Sequence, residues 1–140
     1  MSSFSSEIRY DVRPIGAVES PLVDLADAPR QGDEGAPEAW LVIDPAWSLA
    51  MRDLEVGQHV VVLTWLDRAR RDVVVTRPRD DPNRAEEGIF STRSPDRPNP
   101  IGLHEVTIVE IDGSRLKVRP LEAIDGTPVL DIKPVLGPER

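Results

Sequence analysis

Cysteine is absent from this chain, which removes disulfides, thiolate nucleophiles, iron–sulfur clusters and cysteine zinc sites. Histidine is scarce: His59 and His104 are the only two, and with no third ligand pattern beside them no metal is expected. No apolar run approaches the roughly 18 residues that a bilayer span needs, so no membrane partner is expected. Met1–Arg9 lacks the apolar centre of a signal peptide, which makes a cytoplasmic location the default expectation. There is no glycine-rich dinucleotide loop and no phosphate-cradling Gly-Lys-Ser/Thr, which argues against a Rossmann-type cofactor domain. No nucleophile–base–acid triad can be assembled.

What the chain does have is charge and proline. Its 140 residues fit one domain with a modest core, read as residues 1–140 with the core over about 12–138. The net charge is −8, which opposes strong nonspecific binding to nucleic acid. That charge is unevenly spread. Acidic residues gather in Asp24–Glu38 and Asp44–Glu55, whereas arginines gather in the middle third, at Arg68, Arg70, Arg71, Arg77, Arg79, Arg84, Arg93 and Arg97.

The pattern of apolar residues predicts short strands. Ile8–Glu19 reads as a strand entering a loop, and Ser20–Pro37 as irregular. Trp40–Ile43 is a short apolar run. Pro45–Leu54 is predicted as a short helix, with Asp44 as its N-cap, Pro45 at its first position and Gly57 beyond its end. Gln58–Leu66 is the strongest strand, rich in β-branched residues. Asp72–Thr76 is a second, with the intervening arginines read as a hairpin connection. Ile89–Thr92 is read as extended. His104–Asp112 and Arg115–Leu121 read as a hairpin about the Asp112-Gly113 turn. Asp125-Gly126 marks a further turn, and Val129–Ile132 a last strand. Trp40, Trp47 and Trp65 are expected in the core or at an interface. Together these features predict a mostly β fold, a small antiparallel β-barrel with at most one or two short helices.

Two segments carry candidate chemistry. Ser94–Pro100 holds Pro95, Pro98 and Pro100, which exclude a helix or central strand and leave a stiff extended loop. Arg93 and Arg97 on this loop suit a carboxylate or phosphate clamp, and Asn99 suits an amide or base edge. A proline-rich connection with solvated arginines satisfies the same composition. In Leu121–Pro134, Asp125 and Asp131 flank a turn and suit ribose hydroxyls or an ammonium. An ordinary turn, with Lys133 paired to Asp131 on the surface, is the reading that these residues alone favour. His104 follows the proline loop and reads either as a pocket-edge residue or as a hydrogen-bonded structural histidine.

In order and spacing, Gly88–Leu103 and Asp125–Pro134 closely resemble the TsaA/TrmO-like family of S-adenosylmethionine-dependent methyltransferases. A weaker match covers Ile15–Pro21 and Ala28–Gln31, and the resemblance spans about Val12–Pro138. It implies a small β-barrel methyltransferase acting as a homodimer, with S-adenosyl-L-methionine as cofactor. It further implies N6-methylation of threonylcarbamoyl-adenosine beside the tRNA anticodon. Carried onto this chain, it sets the cofactor against Phe90, Ser91, Thr92, Arg93 and Arg97, with Asp125, Thr127, Val129 and Leu130 completing the pocket. Arg30 and Gln31 match the family's Pro-Arg-Gln segment near the active site, with Asn99 also on the substrate side. Asp131 or His104 is the candidate base. The chain departs from the pattern at Asp96, where an aromatic residue is frequent, and at His104, where a small one is common. Its segment after Pro21 is shortened and acidic. Members with the tRNA activity commonly carry a further C-terminal domain, whereas this sequence runs only to Arg140. A small-molecule methyltransferase and a non-catalytic module that binds the same cofactor are the alternatives.

Overall fold

Inward-facing apolar side chains at every second position decide where the wall of this molecule runs. The computed structural model describes residues 4–22, 37–77 and 81–137. Its strands are β1 (Gly16–Glu19), β2 (Ala39–Ile43), β3 (His59–Trp65), β4 (Val75–Thr76), β5 (Glu87–Gly88), β6 (Ile101–Asp112), β7 (Arg115–Arg119) and β8 (Pro128–Pro134). Six of them close into an antiparallel barrel in the order β1-β2-β7-β6-β3-β8, with β8 returning to β1. β4 and β5 form a separate two-stranded ribbon. The expected small barrel is therefore the architecture observed.

The core is the set of inward residues: Ala39, Leu41 and Ile43 of β2, Val60 and Val62 of β3, Val106 and Ile108 of β6, Leu116 and Val118 of β7. Val18 and Val129 join them from the short β1–β8 seam. The Asp112-Gly113 hairpin forms as expected, Gly113 taking the positive φ (60°) that such a tight turn requires. Bulges shift the register between Ile108 and Glu110 against β7, and between Leu63 and Thr64 against β8. The second leaves Leu130 without a partner on β3, because Leu63 pairs with Asp131 and Thr64 with Val129.

Four expectations change. The hairpin between Gln58–Leu66 and Asp72–Thr76 does not form. Both edges of β3 are taken, by β6 and β8, and Val75–Thr76 pairs instead with Glu87–Gly88. Only the last four residues of Ile8–Glu19 are a strand, since Pro14 has no amide to donate and the preceding residues are exposed. Pro45–Met51 is a 3-10 helix, capped by Asp44 Oδ1 accepting from Ala46 N (2.9 Å). None of its residues is fully buried and only Met51 at its end packs partly on the core, so little burial favours extending it into an α-helix. Ile89–Ser91 is a 3-10 turn rather than extended, because Ile89 turns into the interior while the next two residues face out.

If the barrel interior is the stabilising element, Leu41→Ala lowers unfolding free energy by about 2–5 kcal/mol, whereas Leu49→Ala, on the exposed 3-10 helix, changes it by under about 0.5 kcal/mol. Urea denaturation of the two variants measures both.

Candidate active site at the proline-loop end of the barrel

Register places the two sequence motifs at one end of the barrel. The proline loop feeds β6, where Gly102 pairs with Thr64 of β3. The Asp125 turn feeds β8, where Val129 pairs with the same Thr64 from the other side. The two segments thus lead into the strands on either side of the C-terminal half of β3, which lie two strand spacings or about 10 Å apart. The crossover from β7 to β8 covers this end, with Leu121, Ala123 and Ile124 buried.

The proline loop is held by arginine. Its prolines supply no amide donors, so several carbonyls need partners from elsewhere. Arg97 Nη1 donates to the carbonyls of Thr92 (3.0 Å) and Ser94 (2.9 Å), and Nη2 to that of Ile89 (3.1 Å). Arg71 Nε donates to the Pro98 carbonyl (2.7 Å) and Arg71 Nη2 to Asn99 Oδ1 (3.0 Å). The same guanidinium lies 5.2 Å from the centre of the Trp65 ring. Asp96 Oδ1 accepts from the Arg70 amide (2.8 Å), and the Arg97 amide donates to the Arg70 carbonyl (3.0 Å). The Thr92 hydroxyl donates to the Ile89 carbonyl and accepts from the Ser94 amide.

This arrangement sorts the expected cofactor residues into two groups. Arg97 and Thr92 hold the loop itself. Thr127 is buried, donating its hydroxyl to the Ile124 carbonyl (2.7 Å), and the Val129 side chain belongs to the core. Outward-facing are Phe90, 82% exposed, and Ser91 and Arg93. Asp125 is also exposed, with Oδ1 accepting from the Ser20 amide (2.9 Å) while its own amide donates to the Leu22 carbonyl. Leu130 is half-buried at the bulge. Asn99 is exposed, its oxygen already engaged by Arg71. Arg30 and Gln31 lie outside the described residues.

The two candidate bases differ in setting. Asp131 is half-exposed, with Oδ2 3.1 Å from Lys133 Nζ and Oδ1 accepting from the Ile132 amide. His104 points inward and is 7% exposed. Its Nε2 lies 2.8 Å from the Thr64 hydroxyl and its Nδ1 3.2 Å from Glu122 Oε1. The structural setting of that histidine was legible from its parity on β6, but Thr64 and Glu122 were not singled out. The signal for Thr64 was a hydroxyl at an inward position of an otherwise apolar strand. Gly102 completes this corner, since a Cβ there would overlap the Thr64 hydroxyl and crowd His104. Trp65, expected in the core, is half-buried against Arg71.

Partial burial by itself pushes the Glu122 carboxyl up, but the hydrogen bond and charge of His104, with a backbone hydrogen bond, hold it below the ordinary value. Among the described residues no group of three acidic or histidine side chains suits a metal, and no helix is long and apolar enough to cross a membrane.

Residues 17–137 match the family model for the tRNA-methyltransferase O N-terminal domain. An S-adenosyl-L-methionine-binding protein of Archaeoglobus fulgidus is 46% identical over 123 residues, which cover 87% of this chain and 86% of that protein. The tRNA (adenine(37)-N6)-methyltransferase of Escherichia coli is 36% identical over 146 residues, covering 97% of this chain and 59% of the enzyme. A crystal structure of TrmO superposes with a TM-score of 0.75 at 32% identity, over 92% of this chain and 58% of that one. The chain spans only 33% of a further Archaeoglobus relative.

A carboxyl held below its unfolded value stabilises the fold above about pH 4.3, and that contribution is lost as pH falls through the lowered value. The melting-temperature gap between wild type and Glu122→Gln is therefore widest near neutral pH and closes on acidification below about pH 4. Thermal scans of both proteins across that range measure it.

Proposed function

The chain belongs to the tRNA-methyltransferase O N-terminal domain family, and from that premise we propose that it is an S-adenosyl-L-methionine-dependent methyltransferase. The reading takes threonylcarbamoyl-adenosine beside the tRNA anticodon as acceptor, methylated at N6 by a cytoplasmic homodimer. The observation that carries it is the convergence of the proline loop and the Asp125 turn on either side of β3.

The outward groups fit the cofactor's chemistry. Phe90 offers a bare aromatic face for stacking on adenine. Arg93 is exposed and has no partner among the described residues, leaving its donors available to a carboxylate. Asp125 is an exposed acceptor for hydroxyls or an ammonium, on a turn pinned to Ser20 and Leu22. When bound, the cofactor supplies an electrophilic methyl group. The chain's own contribution is alignment, because a rigid loop and a pinned turn hold two reactants in one orientation. Of the candidate bases, Asp131 reaches solvent and takes the acceptor's proton, whereas His104 is buried inside the wall. Ser91 and Leu130 border the same cofactor site, with Asn99 toward the acceptor.

Isothermal titration tests the cofactor assignment. Wild type binds S-adenosylmethionine, and Arg93→Ala weakens binding by about 1.5–3 kcal/mol, the value of a charge-assisted hydrogen bond. No heat and no thermal shift at millimolar cofactor overturn the reading. Methyl incorporation into total tRNA, against incorporation into a metabolite extract, identifies the acceptor. A second reading, a binding module without turnover, draws on the printed name of the Archaeoglobus relative. Tight binding with no methyl transfer to either extract selects it.

The homodimer rests on the outer face of β6, where Ile101 and Leu103 are exposed beside the loop. Light scattering is expected to give twice the chain mass for wild type and the single mass for Leu103→Glu.

A further inference from the structure

We propose that the buried chain Thr64–His104–Glu122 is a positioning device that fixes the Asp125 turn relative to the proline loop. This inference rests on the cofactor reading above for its functional consequence, because the two segments it joins are the proposed walls of that site. The three residues come from three different elements. Thr64 is on β3, two residues before Leu66, whose amide donates to the Pro100 carbonyl (2.8 Å) at the end of the proline loop. His104 is on β6, four residues after Pro100 and two after Gly102. Glu122 is on the crossover, three residues before Asp125.

The inward positions that follow His104 on β6, Val106 and Ile108, are apolar, so the barrel is filled without polar groups there. An apolar side chain at position 104 would satisfy packing equally well. What an imidazole adds is direction. Its two nitrogens lie in one plane on opposite edges of the ring, so bonding Thr64 on one side fixes where Glu122 stands on the other. Apolar packing alone would let the crossover slide along the wall, because dispersion contacts have no such angular demand. Among the described residues no buried side-chain polar atom lacks a partner, so the chain is fully satisfied. Gly102 is the accommodation that makes room for it, as the overlap of a Cβ with the Thr64 hydroxyl shows. The Glu122 side chain, mostly buried but 26% exposed, marks the point where the chain reaches the surface of the crossover.

The test compares Thr64→Val, Thr64→Ser, Glu122→Leu and the Val/Leu double variant by cofactor titration and by amide hydrogen exchange. Thr64→Val and Glu122→Leu, which each remove one partner of His104, weaken S-adenosylmethionine binding by about tenfold, in line with loss of one buried hydrogen bond. Thr64→Ser restores the hydroxyl and the affinity. The double variant is no weaker than the worse single one, since both cut one chain. Residues 93–101 and 121–127 exchange faster together in Thr64→Val, while the β6–β7 hairpin about Gly113 is unchanged. Wild-type affinity in both single variants, with only a lowered melting temperature, overturns the proposal. Should wild type bind no cofactor, the cofactor reading alone has failed. The exchange data then decide: joint loosening of the two segments upholds the linkage, and unaltered or unlinked exchange overturns it.

Discussion

A loop built from prolines has carbonyls but few amides, and the rest of this site follows from how that deficit is met. Pro95, Pro98 and Pro100 remove three donors within a short stretch. Arg97 answers with a guanidinium that reaches three carbonyls of its own loop, and Arg71 with one that reaches a fourth. A lysine at either place would bring a single ammonium and lose the planar fork that spans separated acceptors. Asp96 adds the complementary contact by accepting from the Arg70 amide, so the loop and the Arg70–Arg71 segment clamp each other from both sides. The Asp96 carboxylate is thus spent on anchoring backbone.

Meeting the deficit internally changes which residues are left for a ligand. A guanidinium that satisfies three loop carbonyls is a structural group, whatever its place in a motif. The same holds for Thr127, whose hydroxyl caps the Ile124 carbonyl, and for the Val129 side chain in the core. Motif membership therefore covers two kinds of residue. One kind builds a rigid frame, and the other, represented by Phe90, Arg93 and Asp125, stands on it facing outward. Pre-organisation of this sort is where a small site gains its selectivity, because the frame's ordering cost is met in folding rather than in binding.

Much of this was legible in the sequence, for identifiable reasons. The β-branched run Gln58–Leu66, the apolar register of His104–Asp112 and the alternation of Arg115–Leu121 about the Asp112-Gly113 turn carried the barrel wall, because strand propensity and inward parity are local properties. The rigidity of Ser94–Pro100 followed from proline geometry alone. What local pattern did not carry was partnership. β3 pairs with β6 and β8 rather than with the nearby Asp72–Thr76, because the barrel needs both of its edges. The internal roles of Arg97 and Arg71 depend on carbonyls up to 27 positions away. A 3-10 helix replaced the expected Pro45–Leu54 helix because its caps mark where a helix starts and stops but not which kind, and only Met51 and Leu54 pack partly on the core.

The same internal use of cations bears on the proposed acceptor. Arg70 is paired with Asp72, Arg115 with Glu19, Arg119 with Glu38, Lys117 with Glu110 and Lys133 with Asp131. Such exposed pairs hold little energy, yet in each the carboxylate offsets the field its cation offers to a phosphate. Set against a net charge of −8, a duplex-like grip on many phosphates is electrostatically disfavoured. Recognition of an RNA acceptor by this domain then falls to a few contacts around one displaced base, where stacking and single hydrogen bonds decide affinity. That mode suits a fixed amide beside a stiff loop, which is what Asn99 provides. It also implies a shallow dependence of acceptor affinity on salt, since few counterions are released when few phosphates are neutralised.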